Sequence, residues 1–323
     1  YTTTSFSFTE PWLGGKKPQS LSFSIYNSKQ FRYNFQTRDV DKDQRLDIIG
    51  ASIGLGKRLK WPDDYFQLTQ TVSLQRYDLK DYPIGSFSFD TGISNNLSYE
   101  ITLARKSAGA NPVFPTYGSD FSIGAKMTFP YSLVTEKDYD NVDDQEKYKW
   151  LEYYKLNFKG KWYTSLFSKV VLMSNAEFGF LGYYNSELGY SPFERYYVGG
   201  DGLATFQLDG RETIGLRGYE NSQVSSIQGG TIYNKFQLEM RYPITLKPSA
   251  SIYALAFLEA GNSYDGFEEF RAFELKRSAG LGVRIFMPAF GLLGIDFAHG
   301  FDPLRPGEEK SGWQTHFIIG QQF

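Results

Sequence analysis

The side chains that could do chemistry are few. The 323-residue chain has no cysteine and only two histidines, His299 and His316. That removes thiolate sites and disulfide frameworks. It also leaves little for a general base or a metal centre. The sequence has no Gly-x-Ser-x-Gly elbow, spaced metal-ligand set or phosphate-binding glycine loop. "GGDGLATFQLDG", residues 199–210, is only loosely like a Gly/Asp calcium loop and reads better as a flexible turn. We expect no enzyme activity, no cofactor and no metal. A His/Ser/Asp hydrolase site is the weakest of the readings weighed. One stretch stands apart. "GLRGYE", Gly215–Glu220, sets an arginine between apolar residues and a glycine, with an aromatic after it. Its flanks, "TFQLDGRET" and "NSQVSSIQGG", are polar and make it part of a long loop. On this pattern alone Arg217 is either an ordinary exposed loop arginine or a cation with a set place in the fold.

The elements that position these residues follow from composition and alternation. Aromatic residues make up 18% of the chain, with 24 Tyr and 28 Phe beside 32 Gly, while hydrophobic residues reach only 41%. Net charge is −2, which gives no sign of nucleic-acid binding. No apolar run approaches the roughly 20 residues of a spanning helix. A transmembrane β-barrel and a large soluble β-sandwich or propeller both suit these totals. Period-2 alternation separates them. In "TIYNKFQLEMRYP" Ile232, Phe236, Leu238, Met240 and Tyr242 form one face, and Tyr233, Lys235, Gln237, Glu239 and Arg241 the other. In "GLLGIDFAHG" Leu293, Ile295 and Phe297 oppose Gly294, Asp296 and Ala298. Glu259 alternates with Ala254, Ala256, Leu258 and Ala260, so it points away from the apolar face. Charges in mid-strand suit a wet lumen.

Short Pro/Gly turns ("LKWPDD", "TLKPSA", "MPAFG") alternate with long polar connections ("QTRDVDKDQ", "VTEKDYDNVDDQEKY", residues 184–229). That is the outer-membrane arrangement, short turns periplasmic and long loops extracellular. The expected fold is all-β, a transmembrane antiparallel barrel. Its thirteen or so strands lie near 1–10, 20–35, 46–60, 65–79, 93–106, 119–131, 149–164, 169–183, 230–244, 249–263, 273–287, 290–300 and 313–323. The two histidines fall on neighbouring strands towards the outer face. Single-chain bacterial barrels have even strand numbers. An odd count, with a strand at the first residue, leads us to expect missing N-terminal strands and an open edge near Tyr1. The chain ends "WQTHFIIGQQF", with Trp313, Thr315, Phe317, Ile319 and Phe323 on one parity. An aromatic last residue on such a strand matches the sorting signal of outer-membrane barrels.

Several pieces, in order over nearly the whole chain, resemble the C-terminal barrel of the BamA family of outer-membrane protein assembly factors. They also resemble its wider superfamily of insertases and two-partner secretion pores. The pieces are "FTEPWLGGKKPQSLSFSIYNS", "NPVFPTYGS", "RYYVGGDG" with "GLRGYE", "AFLEAGNSY" and "GLGVRIFMPAFGLLGIDFAHGF". The first hairpin is most similar to members from Bacteroidota. The resemblance implies that residues 1–323 are a 16-stranded barrel without its first three strands and without periplasmic POTRA modules. It implies that the 184–229 loop folds into the lumen, where Arg217, Gly218 and Tyr219 anchor its tip. Arginine suits this task because its planar fork stays charged and fits carboxylates. Gly218 would let the backbone approach the wall, and Tyr219 would pack its ring. The resemblance places the arginine's partners at Glu239 and Glu259, with Asp296 a third candidate.

The implied function is folding and insertion of other barrels through a seam between first and last strands. Gly320 lies where the family has a kink-permitting glycine. An incoming strand would add to the opened edge, helped by local thinning of the bilayer. The implied partners are unfolded outer-membrane β-barrel substrates, accessory assembly lipoproteins and outer-membrane lipids, with no nucleic acid. A two-partner secretion-type polypeptide pore would share the Arg-Gly-aromatic loop. A passive porin or transporter would have an open lumen and no inward anchor.

Overall fold

The computed structural model describes residues 2–15, 19–34, 38–82, 89–109, 111–135, 139, 141–203 and 210–320. Thirteen strands form one antiparallel sheet whose neighbours follow chain order. The first eight are β1 (Thr2–Glu10), β2 (Gln19–Asn34), β3 (Asp39–Arg58), β4 (Phe66–Lys80), β5 (Gly92–Lys106), β6 (Gly118–Thr128), β7 (Tyr154–Ser165) and β8 (Val171–Gly182). Two short strands, β9 (Tyr196–Val198) and β10 (Glu212–Ile214), then pair in parallel outside the sheet. The last five are β11 (Ile232–Lys247), β12 (Ala250–Tyr264), β13 (Lys276–Met287), β14 (Gly291–Pro303) and β15 (Lys310–Gly320). Two helical turns, α1 (Ser132–Thr135) and α2 (Asp144–Lys147), lie between β6 and β7. In the sheet order β1 neighbours only β2, and β15 only β14.

The alternation decides which face is which. On β11 Leu238, Met240, Tyr242 and Ile244 are exposed, while Tyr233, Lys235 and Glu239 are buried. On β12 Leu258 is exposed, and Tyr253, Leu255, Phe257 and Glu259 are buried. The concave side of the sheet therefore collects the polar set and the large aromatics, and the outer side is an apolar band.

The strand edges differ from the sequence reading in particular places. Residues 39–45, read as loop, continue β3 and pair back onto β2 through Arg32↔Asp41 and Tyr33↔Val40. This hairpin runs on as exposed, charged strand, which water tolerates as well as it does a loop. Residues 149–153, read as strand, precede β7. They are held instead by backbone bonds from Leu151 to Asn95 and from Asn95 to Lys149. The first and last residues read as strand, Tyr1 and Phe323, lie outside the described residues.

Two segments enter the concave side from opposite ends. From the long-loop end, Phe193, Tyr196, Val198, Ile214, Leu216 and Tyr219 pack against Leu46, Ile48, Tyr77, Leu79, Tyr153 and Tyr233 of the wall. From the short-turn end, the β5–β6 connection folds inward. It buries Phe114 against Val171, Leu255 and Phe257, with its ring 5.3 Å from that of Tyr253.

Candidate functional site

The β9–β10 pair stiffens the loop just ahead of its tip, and the tip then descends to the wall. Arg217 is 5% exposed there. Its Nε and Nη2 donate to Glu259 Oε1 at 3.0 and 2.8 Å, and its backbone N–H donates to Glu259 Oε2 at 2.8 Å. Nη2 also reaches Glu239 Oε2 at 3.1 Å, and Nη1 reaches Asp296 Oδ2 at 2.9 Å. One guanidinium thus holds carboxylates from β11, β12 and β14. It lies over the Phe257 ring, 3.4 Å from the centroid, where the π face adds attraction. All three acids named from the sequence meet it together.

The rest of the site balances the charge. Arg241 Nε donates to Glu239 Oε1 at 2.7 Å, and Gln237 Nε2 to Glu239 Oε2 at 3.0 Å. Arg284 grips Asp296 with both Nη groups, at 2.6 and 2.7 Å. Three arginines therefore face three carboxylates, and no buried charge stands alone. Register makes this possible. Asp296 lies across from Gly282 of β13, and Arg284 lies across from Gly294 of β14. A Cβ on Gly282 would fall 1.8 Å from Asp296 Oδ1, and one on Gly294 2.7 Å from Arg284 Cδ. The two glycines leave the room that the two long polar chains fill.

The next two residues finish the tip. Gly218 has φ +89°, and a Cβ there would meet the Ser278 Cβ at 2.7 Å. Its backbone N–H donates to His316 Nε2 at 2.8 Å, so the ring accepts there in its neutral form. Tyr219 is fully buried, and its hydroxyl donates to the Arg277 carbonyl at 2.9 Å. Burial pushes this phenol up to about 12. The sequence reading put both histidines towards the outer face. Only His299 lies there, 5.2 Å from the Trp313 ring. His316 faces Asp296 across the β14–β15 pair and is 5% exposed. Parity explains the difference, because it stands one residue out of step with Thr315 and Phe317.

The sequence reading did not single out Arg284 as part of the site. Its signal is the small-residue parity of "GLGVRIF", in which Gly280, Gly282 and Arg284 share a face. A second ionic contact had no signal of this kind. Nearer the root of the loop, Glu194 is buried and takes Lys126 and Lys155 as partners. Lys155 also reaches Glu212 Oε1 at 2.8 Å and donates to the Glu194 carbonyl at 2.9 Å. Burial alone would push the Glu194 carboxyl up, but the Lys126 and Lys155 ammoniums outweigh it and hold the group below its ordinary range. Glu212 is depressed in the same sense, burial again opposed by Lys155 and Lys159.

On the last strand, Phe317 and Ile319 project outward and are exposed. Gly320 has φ +137° and sits across from Leu292. Phe323 lies outside the described residues. The described residues hold no group of three or more His, Cys, Asp or Glu placed to bind a metal ion. Residues 204–209 of the Gly/Asp stretch lie outside the described set.

Compared with known proteins, the whole chain, residues 1–323, matches a family model described as the Omp85 superfamily domain. Among solved structures it resembles BamA from Haemophilus ducreyi lacking POTRA domains 1–3. The TM-score is 0.67 and the identity 17%, covering 98% of this chain and 61% of that one. It also resembles CdiB from Escherichia coli, at TM-score 0.54 and 10% identity over 98% of this chain and 52% of that one. CdiB from Acinetobacter baumannii gives TM-score 0.54 and 12% identity over 98% and 49%. At such identities the likeness is one of fold, and the chain spans less than two thirds of each structure. No curated protein matches.

Proposed function

The chain belongs to the Omp85 superfamily, and from that premise we propose that it is the barrel of an outer-membrane protein assembly factor. It would fold and insert other β-barrels from the periplasmic side, with its long loops extracellular. The observation that carries this reading is the anchored loop tip. The Arg217 guanidinium spends four of its five donors on three wall carboxylates. A loop bolted across the lumen weighs against a passive water-filled channel. The better likeness to the BamA structure than to the CdiB structures supports the same choice.

The seam is the second part of the proposal. The last strand, β15, is the half of the seam that this chain supplies, where a substrate strand would pair by β-augmentation. Gly320, with no side chain and an unusual φ, would let the last strand bend and release. Unfolded barrel precursors would be the substrates, with assembly lipoproteins and outer-membrane lipids as partners. A polypeptide secretion pore is the second reading, favoured by the two CdiB likenesses. The test uses the full-length gene. Cells are depleted of their own copy and supplied with Arg217→Ala, and unrelated outer-membrane barrels are quantified by mass spectrometry. A several-fold fall across many barrels supports the assembly factor. Unchanged levels, with the variant itself folded, move the secretion pore ahead.

A further inference from the structure

Between the loop and the inward β5–β6 turn lies a polar chamber of about 440 Å³. Its wall on β7, β8 and β11 is set by register. Lys159, Glu177 and Lys235 stand side by side across the three strands, and Lys161, Asn175 and Gln237 form the next row. The cations here are loosely matched. Lys235 comes no closer than 3.8 Å to Glu259, and Lys159 no closer than 3.6 Å to Glu212. Lys161 has no carboxylate within ion-pair distance among the described residues. Asp120 lies across from it on β6, but Asp120 Oδ1 accepts the Ala108 N–H at 3.1 Å. Glu177 is the one carboxylate within this group. The whole chamber lining sets six cations, these three lysines with Arg217, Arg241 and Arg284, against four carboxylates, Glu177, Asp201, Glu239 and Glu259, a surplus of two positive charges.

A second observation comes from Asn175, which is 5% exposed. Its amide orientation is fixed from both sides. Nδ2 donates to Glu177 Oε1 at 2.7 Å and towards Gln237 Oε1 at 3.4 Å. Gln237 is fixed in turn by its donation to Glu239 Oε2 at 3.0 Å. That leaves Asn175 Oδ1 as a buried acceptor with no partner. A buried polar atom of this kind lacks a donor.

We propose that the chamber binds inorganic hydrogen phosphate. The lysines meet its charge, and Asn175 Oδ1 accepts its P–OH hydrogen. Both requirements matter. A surplus of ammoniums alone would take sulfate equally well. An orphaned acceptor selects an anion that still carries a proton. At neutral pH inorganic phosphate always keeps at least one. Sulfate has none, and a phosphomonoester sheds its last near pH ~6. Glu177 disfavours anions on its side of the chamber and steers the phosphate towards Lys161 and Asn175.

The test uses the full-length protein in a phosphate-free detergent at constant ionic strength. Phosphate, sulfate and glycerol phosphate are titrated at pH 7.5 and followed by calorimetry. One saturable phosphate site is expected, with sulfate and glycerol phosphate at least tenfold weaker. Lys161→Gln should lower phosphate affinity at least tenfold, and Lys161→Arg should restore most of it. Asn175→Leu should bring the phosphate-to-sulfate ratio close to one. Heat-modifiable gel mobility checks that each variant is folded. The proposal is overturned by any of three results in folded protein: no saturable phosphate site, equal affinity for phosphate and sulfate in the wild type, or unchanged affinity in Lys161→Gln.

Discussion

The loop meets its wall twice, with the charges reversed. At the tip the loop supplies the cation, and β11, β12 and β14 supply the carboxylates. Near the root the loop supplies two carboxylates, Glu194 and Glu212, and β6 and β7 supply ammoniums. The difference lies in what each cation can reach. A guanidinium offers five donors in a rigid plane, so one residue can tie three strands together. An ammonium is a compact point charge on a flexible stem, so the root needs two lysines to hold one glutamate. The tip is therefore a single joint with one failure point. The root is a spread of weaker joints, any of which can go without freeing the loop.

The largest expected effect breaks the tip. Arg217→Ala removes the cation shared by Glu239, Glu259 and Asp296 and leaves buried carboxylates short of a partner. Removing one member of such a set costs about 3–5 kcal/mol. Limited proteolysis of the full-length protein should cut within residues 184–229 at least tenfold faster than in the wild type. Next is Gly218→Ala. A left-handed backbone costs an L-residue about 1–2 kcal/mol, and here the new methyl also strikes Ser278. The same proteolysis assay should rank it just below Arg217→Ala. A similar cleavage rate for Gly218→Ala and wild type would show that the tip does not sit where the geometry puts it.

The root should respond less. Glu194→Gln keeps the shape and removes the charge that Lys126 and Lys155 share, and we expect a loss of about 1.5–3 kcal/mol, the scale of a charged hydrogen bond. The loop should stay protected in that variant because the tip still holds. Acid sharpens the contrast. Glu194 and Glu212 both titrate lower in the folded chain than the ordinary Glu value of about 4.3. Their contribution is complete above that value and is lost as pH falls through the depressed one. The root should therefore loosen only below about pH 4, as read by hydrogen exchange at residues 193–198. Smallest is His316→Phe, which deletes the acceptor for the Gly218 N–H at a cost of about 1 kcal/mol. Exchange should rise at Gly218 while the Arg217 contacts persist.

How far each joint could be read in advance follows from where its residues lie. Glu239, Glu259 and Asp296 declare themselves because each is an acid on the non-apolar parity of a clear strand. Arg217 declares itself because it breaks the composition of its loop. The thirteen strands were legible for the same reason, since alternation survives whatever the strand pairs with. The root was not legible. Glu194 and Glu212 lie in a connection with no periodicity, and nothing local says that Lys126 and Lys155, far back in the chain, will be their partners. Arg284 fell between these cases. Its parity is readable, but its duty depends on the register that sets Gly282 against Asp296 and Gly294 against Arg284. His316 went astray because parity was used on its apolar neighbours and not carried one residue further.

The inward turn that buries Phe114 has a consequence for permeability. A wide barrel in a membrane is a leak unless something stops it. With the loop seated at one end and Phe114 at the other, the lumen has two stoppers in series, and both rest on Phe257 of β12. An ion crossing the barrel must find both displaced at once, and their shared contact couples the two openings. Loosening the loop alone, by substitution or by a bound substrate, would still leave Phe114 held by Val171 and Leu255.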